Sequence, residues 1–235
     1  GNASLDVSPH FYSQKSLQLD AREFSISYVN VFLGSEKLES NWVYDGNTID
    51  ISLPQAVSSV DTLTGKVSYV AHPERIEGGG RAITAAQGMY FIRHEHQKDS
   101  IVQIWTQGET EYNSGWFPTL DVPNQKTSQE IDVTVPKHLA TVSNGRLKYA
   151  MDNGDGTRTD VWEQVKPHAP YLVMLAVGDY AKITDDYKGM EVSYYVDSTH
   201  ASDARYIFGH TPEMLDFFSQ LLGYPFPWDK YAQVI

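Results

Sequence analysis

The sequence of 235 residues contains no cysteine. This absence excludes disulfide bonds, thiolate metal ligands and a cysteine nucleophile. It leaves the cellular compartment open, because periplasmic and secreted proteins can also lack cysteine. No apolar run reaches the roughly 18 residues that a membrane-spanning helix needs, so no part of the sequence is predicted to cross a membrane.

Basic residues are also scarce, with 18 Lys and Arg against 30 Asp and Glu and a formal net charge of −12. The electrostatic field of this negative charge repels nucleic acids and anionic membrane surfaces, so a nucleic-acid partner is not predicted. An acidic surface serves solubility, and it weakly favours cationic ligands such as peptide amines.

Helical periodicity is missing from most of the chain, where apolar and polar residues alternate instead. This alternation is typical of strands with one solvated face. The clearest examples are residues 17–19, 49–53, 131–135 and 190–196. Residues 171–180 are continuously apolar, which indicates a strand covered on both faces. Many strands separated by turn residues predict an all-β fold, an antiparallel β-sandwich.

The pattern changes after about residue 198. Thr211 is a candidate N-cap, Pro212 suits the first helical position, and the apolar residues that follow have helical spacing. Gly223 is the expected end of that helix, and residues 230–235 resemble a new strand. We therefore predict a β domain over residues 1–198 and the beginning of a second domain over residues 199–235. We also expect the chain to be a segment of a longer protein.

Two stretches invite a metal-site interpretation, and neither supports one. His94-Glu95-His96 precedes a polar turn and lacks the spacing of the helical HExxH motif. Residues 152–156, Asp-Asn-Gly-Asp-Gly, lack the EF-hand spacing and are predicted to be a hairpin turn. No metal ligand is predicted in this sequence.

Gln107 and Glu109 follow an apolar run, with Gly108 between them. Residues two apart on a strand point to the same face, and a glycine allows another backbone or a ligand to come close. A polar strand end is the plain interpretation. The functional alternative is that the amide and the carboxylate receive the ammonium group of a ligand.

Four stretches together resemble the aminopeptidase N family of zinc metallopeptidases, which also includes leukotriene hydrolase. They contain the motif TQGETEYNSGWFPTLDVP, beginning at Thr106, and they occur in the family's order at residues 67–92, 104–147, 168–183 and 211–235. The variant is similar to one common in bacteria of the Bacteroidetes type. Family members usually have further strands before the point that matches Gly1.

The resemblance implies a β-saddle domain followed by the short α/β start of a thermolysin-like catalytic domain. It implies zinc in the longer protein and none on this chain, because the HExxH motif and the substrate-binding GAMEN strand lie in the catalytic domain. It also implies that Glu109 binds the free α-amino group of a peptide substrate and that Gln107 lines the first specificity pocket. The expected partners are that peptide and the protein's own catalytic domain.

Two expectations follow about activity. The longer protein is expected to remove N-terminal residues from peptides, and the present chain alone is expected to be inactive. The alternative is a non-catalytic scaffold module, because the same fold occurs in relatives that have lost the zinc motif.

Overall fold

The computed structural model describes residues 1–77, 87–94 and 97–235, with the backbone alone for residues 94 and 97–102. The chain forms two compact units. Unit 1 consists of residues 1–90, 106–126 and 168–173, and unit 2 of residues 91–105, 127–167 and 174–235.

Unit 1 is built from two antiparallel sheets, with strand orders β1-β7-β3-β4 and β2-β6-β5. The strands are β1 (Asn2–Val7), β2 (Gln14–Asp20), β3 (Phe24–Leu33), β4 (Glu36–Leu38), β5 (Asn41–Tyr44), β6 (Thr48–Val57) and β7 (Leu63–Ala71). Their alternating residues meet in one core, which includes Leu19, Val31, Ile49, Ile51 and Val67. The predicted antiparallel sandwich is confirmed in this unit.

The remaining strands are β8 (Met89–His94), β9 (Gln97–Thr106), β10 (Thr127–Pro136), β11 (Ala140–Ser143), β12 (Arg146–Asp152), β13 (Thr157–His168), β14 (Leu175–Gly178), β15 (Tyr180–Tyr187), β16 (Met190–Asp197) and β17 (Lys230–Val234). They form three sheets, with orders β11-β14-β9-β8, β10-β13-β12 and β15-β16-β17. The pairing of β16 with β17 is parallel, whereas β15 and β16 form an antiparallel hairpin. The turn between β12 and β13 confirms the hairpin predicted at residues 152–156.

Two helices lie between β16 and β17, namely α1 (Ala204–Phe208) and α2 (Thr211–Leu222). Gly223 ends α2 in the left-handed conformation with φ +63°, as predicted. The predicted N-cap is one residue late, because His210 occupies that position and the Thr211 hydroxyl donates to the carbonyl of Phe208 instead. Among the described residues, neither helix is long and apolar enough to cross a membrane.

The single strand predicted over residues 171–180 is wrong in extent. A short 3-10 turn covers Pro170–Leu172, β14 is limited to Leu175–Gly178, and β15 begins at Tyr180. Pro170 has a fixed φ and no N–H, so it favours the turn over a ladder position. All four residues of β14 are buried, as expected for a covered strand.

The boundary predicted at residue 198 stays a prediction. Within unit 2, α1, α2 and β17 share a core with β15 and β16, centred on Val192, Tyr194, Ala204 and Leu215. Glu95, His96 and the His94 side chain lie outside the described residues, so the His-Glu-His alternative is not tested.

Candidate functional site

Gln107 and Glu109 lie in a loop that begins directly after β9 ends at Thr106. The geometry of a strand, with both side chains on one face, therefore does not apply to them. The backbone N–H of Gln107 donates to the carbonyl of Gly88 at 2.9 Å, and that of Tyr112 donates to the carbonyl of Gly108 at 2.9 Å. The Glu109–Thr110 peptide bond is cis.

The three residues at the start of this loop differ sharply in exposure. Glu109 is exposed, Gln107 is partly buried and Gly108 is buried. The Glu109 carboxylate has no hydrogen-bond or ion-pair partner among the residues the structure describes. The Glu109 carboxylate is thus open to solvent, whereas the residue before it, Gly108, is buried.

Gly108 is packed too tightly to carry a side chain. An ideal β-carbon at this position would lie 2.4 Å from Asn113 Nδ2 and 2.5 Å from the carbonyl oxygen of Tyr171. The glycine that the sequence places between Gln107 and Glu109 is therefore required by the protein's own packing. The close approach that we attributed to a ligand or another backbone is made by the Tyr171 backbone and the Asn113 amide.

Asn113 is fully buried and binds two parts of unit 1 together. Its Nδ2 donates to the carbonyls of Pro170 at 2.7 Å and Val173 at 2.9 Å, and its Oδ1 accepts from Trp116 Nε1 at 2.8 Å. The role of Asn113 is not evident from the sequence, because nothing in its neighbours indicates that residues 170–173 lie beside it.

Arg22 and Asp121 support the far end of the same loop. Arg22 donates to Ser114 Oγ at 3.0 Å and to the carbonyl of Glu111 at 3.1 Å, and its guanidinium lies 5.2 Å from the centre of the Tyr112 ring. Asp121 Oδ2 accepts from the Ser114 backbone N–H at 2.8 Å, while Oδ1 is buried without a partner among the described residues.

Asp121 is nearly inaccessible, with 4% of its surface exposed. Burial raises the pKa of its carboxyl above the ordinary value, and the hydrogen bonds from Ser114 and the charge of Arg22 only partly oppose this effect. The buried carboxyl of Asp121 thus holds the loop through the backbone N–H of Ser114.

No group of three or more His, Cys, Asp or Glu side chains capable of holding a metal ion occurs within residues 1–77, 87–93 and 103–235, whose side chains the structure describes. The residues around Glu109 supply two exposed carboxylates, those of Glu109 and Glu111, and the amide of Gln107. This set suits recognition of a cationic group and does not form a zinc site.

Residues 1–172 match the model of the peptidase M1 N-terminal domain. The chain belongs to this family. The match includes the whole loop from Gln107 to Asp121. Aminopeptidase N of Acetobacter pasteurianus is 23% identical over 170 residues, which cover 72% of this chain and 48% of that protein. Aminopeptidase 2 of Candida albicans is 29% identical over 147 residues, which cover 61% of this chain and 16% of that protein.

Solved structures of M1 peptidases show the same fold. An M1 zinc metallopeptidase mutant from Deinococcus radiodurans, bound to a Tyr-Ser-Ala substrate, aligns with a TM-score of 0.78 and 19% identity. A two-domain M1 zinc metallopeptidase mutant bound to L-arginine aligns with a TM-score of 0.78 and 17% identity. Both alignments cover 99% of this chain and 51% of the other. The chain thus spans about half the length of the Acetobacter aminopeptidase and of the two solved structures, and a smaller part of the Candida enzyme.

Proposed function

We propose that this chain is the N-terminal part of a zinc aminopeptidase and that Glu109 binds the free α-amino group of the peptide substrate. The observation that carries the proposal is the open carboxylate of Glu109 on an anchored loop, within the segment that matches the M1 N-terminal domain. A charge-assisted hydrogen bond to an ammonium group contributes roughly 1.5–3 kcal/mol.

Gln107 has the second role in the proposal. Its backbone is fixed by the hydrogen bond to Gly88, and its partly buried amide lies two residues from Glu109. We assign it to the wall of the first specificity pocket, where an amide can donate to or accept from the substrate. We assign residues 199–235 to the beginning of the catalytic domain.

Zinc belongs to the rest of the longer protein in this proposal, because the residues described here offer no set of ligands for it. The contribution of this chain is substrate positioning. A carboxylate that holds the α-ammonium group fixes the register of the peptide, so that only its first peptide bond is presented for hydrolysis.

The test uses the intact protein and two substrates that differ only in the α-amino group. These are alanyl para-nitroanilide and its des-amino counterpart, propionyl para-nitroanilide. The preference for the amine is the ratio of the two kcat/KM values. Glu109→Gln is expected to lower this ratio by roughly tenfold or more, mainly through a higher KM for the alanyl substrate.

Glu111→Gln is the matched control, because it removes an equal charge from an exposed position two residues away on the same loop. It is expected to leave the ratio unchanged. An unchanged ratio in Glu109→Gln would remove the role of this residue. No zinc-dependent hydrolysis by the intact protein would favour the non-catalytic scaffold instead. The chain of 235 residues alone, supplied with zinc, is expected to release no para-nitroaniline.

A further inference from the structure

The side chain of Asn113 lies beside Gly108, the residue that precedes the proposed amine anchor. It is fully buried, and it uses both of its N–H donors and one oxygen lone pair. Its orientation is fixed chemically, because the carbonyls of Pro170 and Val173 can only accept and the indole N–H of Trp116 can only donate. The amide therefore cannot rotate without leaving buried groups unpaired.

This fixed amide lies against the backbone that carries Glu109. Gly108 precedes Glu109 directly, and the space around its Cα is filled by the Asn113 amide and the Tyr171 carbonyl. The hydrogen bond from the Tyr112 N–H to the Gly108 carbonyl closes the short loop between the two residues. Any movement of the Asn113 side chain therefore changes the space available to Gly108.

The Glu109 side chain has no such support of its own. It is exposed and has no polar partner among the described residues, so its position depends on its backbone. An exposed side chain loses conformational entropy when it binds a ligand. A fixed backbone lowers this entropic cost, because fewer conformations of the side chain are accessible before binding.

We propose that Asn113 is a positioning residue for substrate binding: its carboxamide, held by Pro170, Val173 and Trp116, fixes the backbone at Gly108 and thereby places the Glu109 carboxylate for the α-ammonium group. This inference rests on the proposed function of Glu109. It adds a residue that never contacts the substrate and acts only through its neighbour.

The test is a double-mutant cycle in the intact protein, read out as the preference for alanyl over propionyl para-nitroanilide. Asn113→Ala is expected to lower the preference by roughly three- to tenfold, within the range of coupling between residues in contact. The double variant Asn113→Ala/Glu109→Gln is expected to show the preference of Glu109→Gln alone, because Asn113 acts through that carboxylate.

A purely structural role gives a different result. Loss of folded protein lowers kcat/KM for both substrates by the same factor, so the preference stays constant. That constancy in Asn113→Ala, or an additive loss in the double variant, overturns the inference. If Glu109→Gln itself leaves the preference unchanged, the proposed function fails first, so the two failures are distinguishable.

Two further variants keep the test decisive if Asn113→Ala does not fold. Trp116→Phe replaces the indole by a smaller ring and removes the donor to Asn113 Oδ1, while the two carbonyl partners of Asn113 remain. It is expected to lower the preference in the same direction by a smaller factor. Tyr44→Phe is the control, because it removes a hydroxyl that bonds the backbone of Ala21, Phe24 and Gly46 elsewhere in unit 1. It is expected to change stability without changing the preference. A preference that falls equally in both variants contradicts the inference.

Discussion

Gly108 and Asn113 are in contact with no room for a β-carbon between them, since an ideal Cβ on Gly108 would lie 2.4 Å from Asn113 Nδ2. The amide cannot retreat easily, because its two donors are engaged by backbone carbonyls. The other close atom, the oxygen of Tyr171 at 2.5 Å, also belongs to the backbone. A side chain at position 108 must therefore displace the main chain.

Gly108→Ala is accordingly expected to destabilise the protein by about 1–3 kcal/mol, as overpacking does in a filled interior. The measurement is the free energy of unfolding from urea titration. Gly65→Ala is the matched control, because its φ is not positive and the nearest atom to an added Cβ is Leu17 Cδ2 at 3.9 Å. Its effect is expected to stay within about 1 kcal/mol. Equal effects of the two substitutions would contradict the packing argument.

Arg158 and Asp160 form a bidentate ion pair within unit 2. Nε and Nη2 of Arg158 donate to the two oxygens of Asp160 at 2.6 and 2.7 Å, and Thr141 Oγ1 donates to Oδ2 at 2.6 Å. Burial pushes the pKa of Asp160 upward, but the hydrogen bonds from Arg158 and Thr141 outweigh this effect and lower the pKa below its ordinary value.

Arg158→Leu is expected to destabilise the protein by about 3–5 kcal/mol at neutral pH, because it leaves a buried carboxylate without its cationic partner. Lys182→Leu, which breaks an exposed pair with Glu191, is the control and is expected to cost about 1 kcal/mol or less. The lowered pKa of Asp160 stabilises the folded state above the unfolded pKa of about 3.9, and this stabilisation is lost as pH falls through the folded pKa. The deficit of Arg158→Leu should therefore shrink in acid, and a deficit that does not depend on pH would count against the ion pair.

Many of the strands were predictable, because a strand with one buried face alternates apolar and polar residues. The alternation over residues 49–53 indicated β6, and the same pattern identified β2, β10 and β16. Gly223 was predictable as the end of α2, because glycine adopts the left-handed conformation most easily. The end of β14 was not predictable, since the apolar run over residues 171–180 continues through a 3-10 turn and two strands.

The site was only partly predictable for a different reason. The motif identified Glu109 and Gln107 as candidates, and their roles remain predictions. Asn113 and Asp121 could not be identified, because their partners are far away in sequence or have ordinary local patterns. Asn113 donates to the carbonyls of Pro170 and Val173. Every residue type has a backbone carbonyl, so the sequence does not indicate which ones accept these hydrogen bonds.

The apolar residues of α2 divide between one buried and several exposed positions. Leu215 is 9% exposed, whereas Phe217 and Leu221, which are four residues apart and share a face, are 58% and 66% exposed. The double substitution Phe217→Gln/Leu221→Gln is therefore expected to change the free energy of unfolding by less than about 1 kcal/mol. Leu215→Ala is expected to cost about 2–5 kcal/mol.

The same double variant is expected to reduce self-association of the chain, because contiguous exposed apolar surface promotes association. Sedimentation velocity at increasing concentration measures this effect. Unchanged association would show that these two side chains do not mediate it. A loss of stability as large as that of Leu215→Ala would show that they are not exposed in solution.

The buried carboxyl of Asp121 predicts a dependence of stability on pH with the opposite sign to that of Asp160. Its folded-state pKa is raised, chiefly by burial and also by Asp20, against the lowering effect of Ser114 and Arg22. The folded protein thus retains a proton that the unfolded chain releases above about pH 3.9. The stability contributed by this group is fully present below the unfolded pKa and is lost as pH rises through the folded pKa.

Asp121→Asn removes that titration and is expected to keep a carbonyl oxygen as acceptor for the Ser114 N–H. Relative to the natural protein, the variant should become more stable as pH rises from about 3 to 6, measured by urea unfolding at each pH. Asp61→Asn is the contrasting control, because hydrogen bonds from the Ser58 backbone and hydroxyl lower the pKa of Asp61. That variant should become relatively less stable over the same interval. Slopes of the same sign for the two variants would show that burial does not raise the pKa of Asp121.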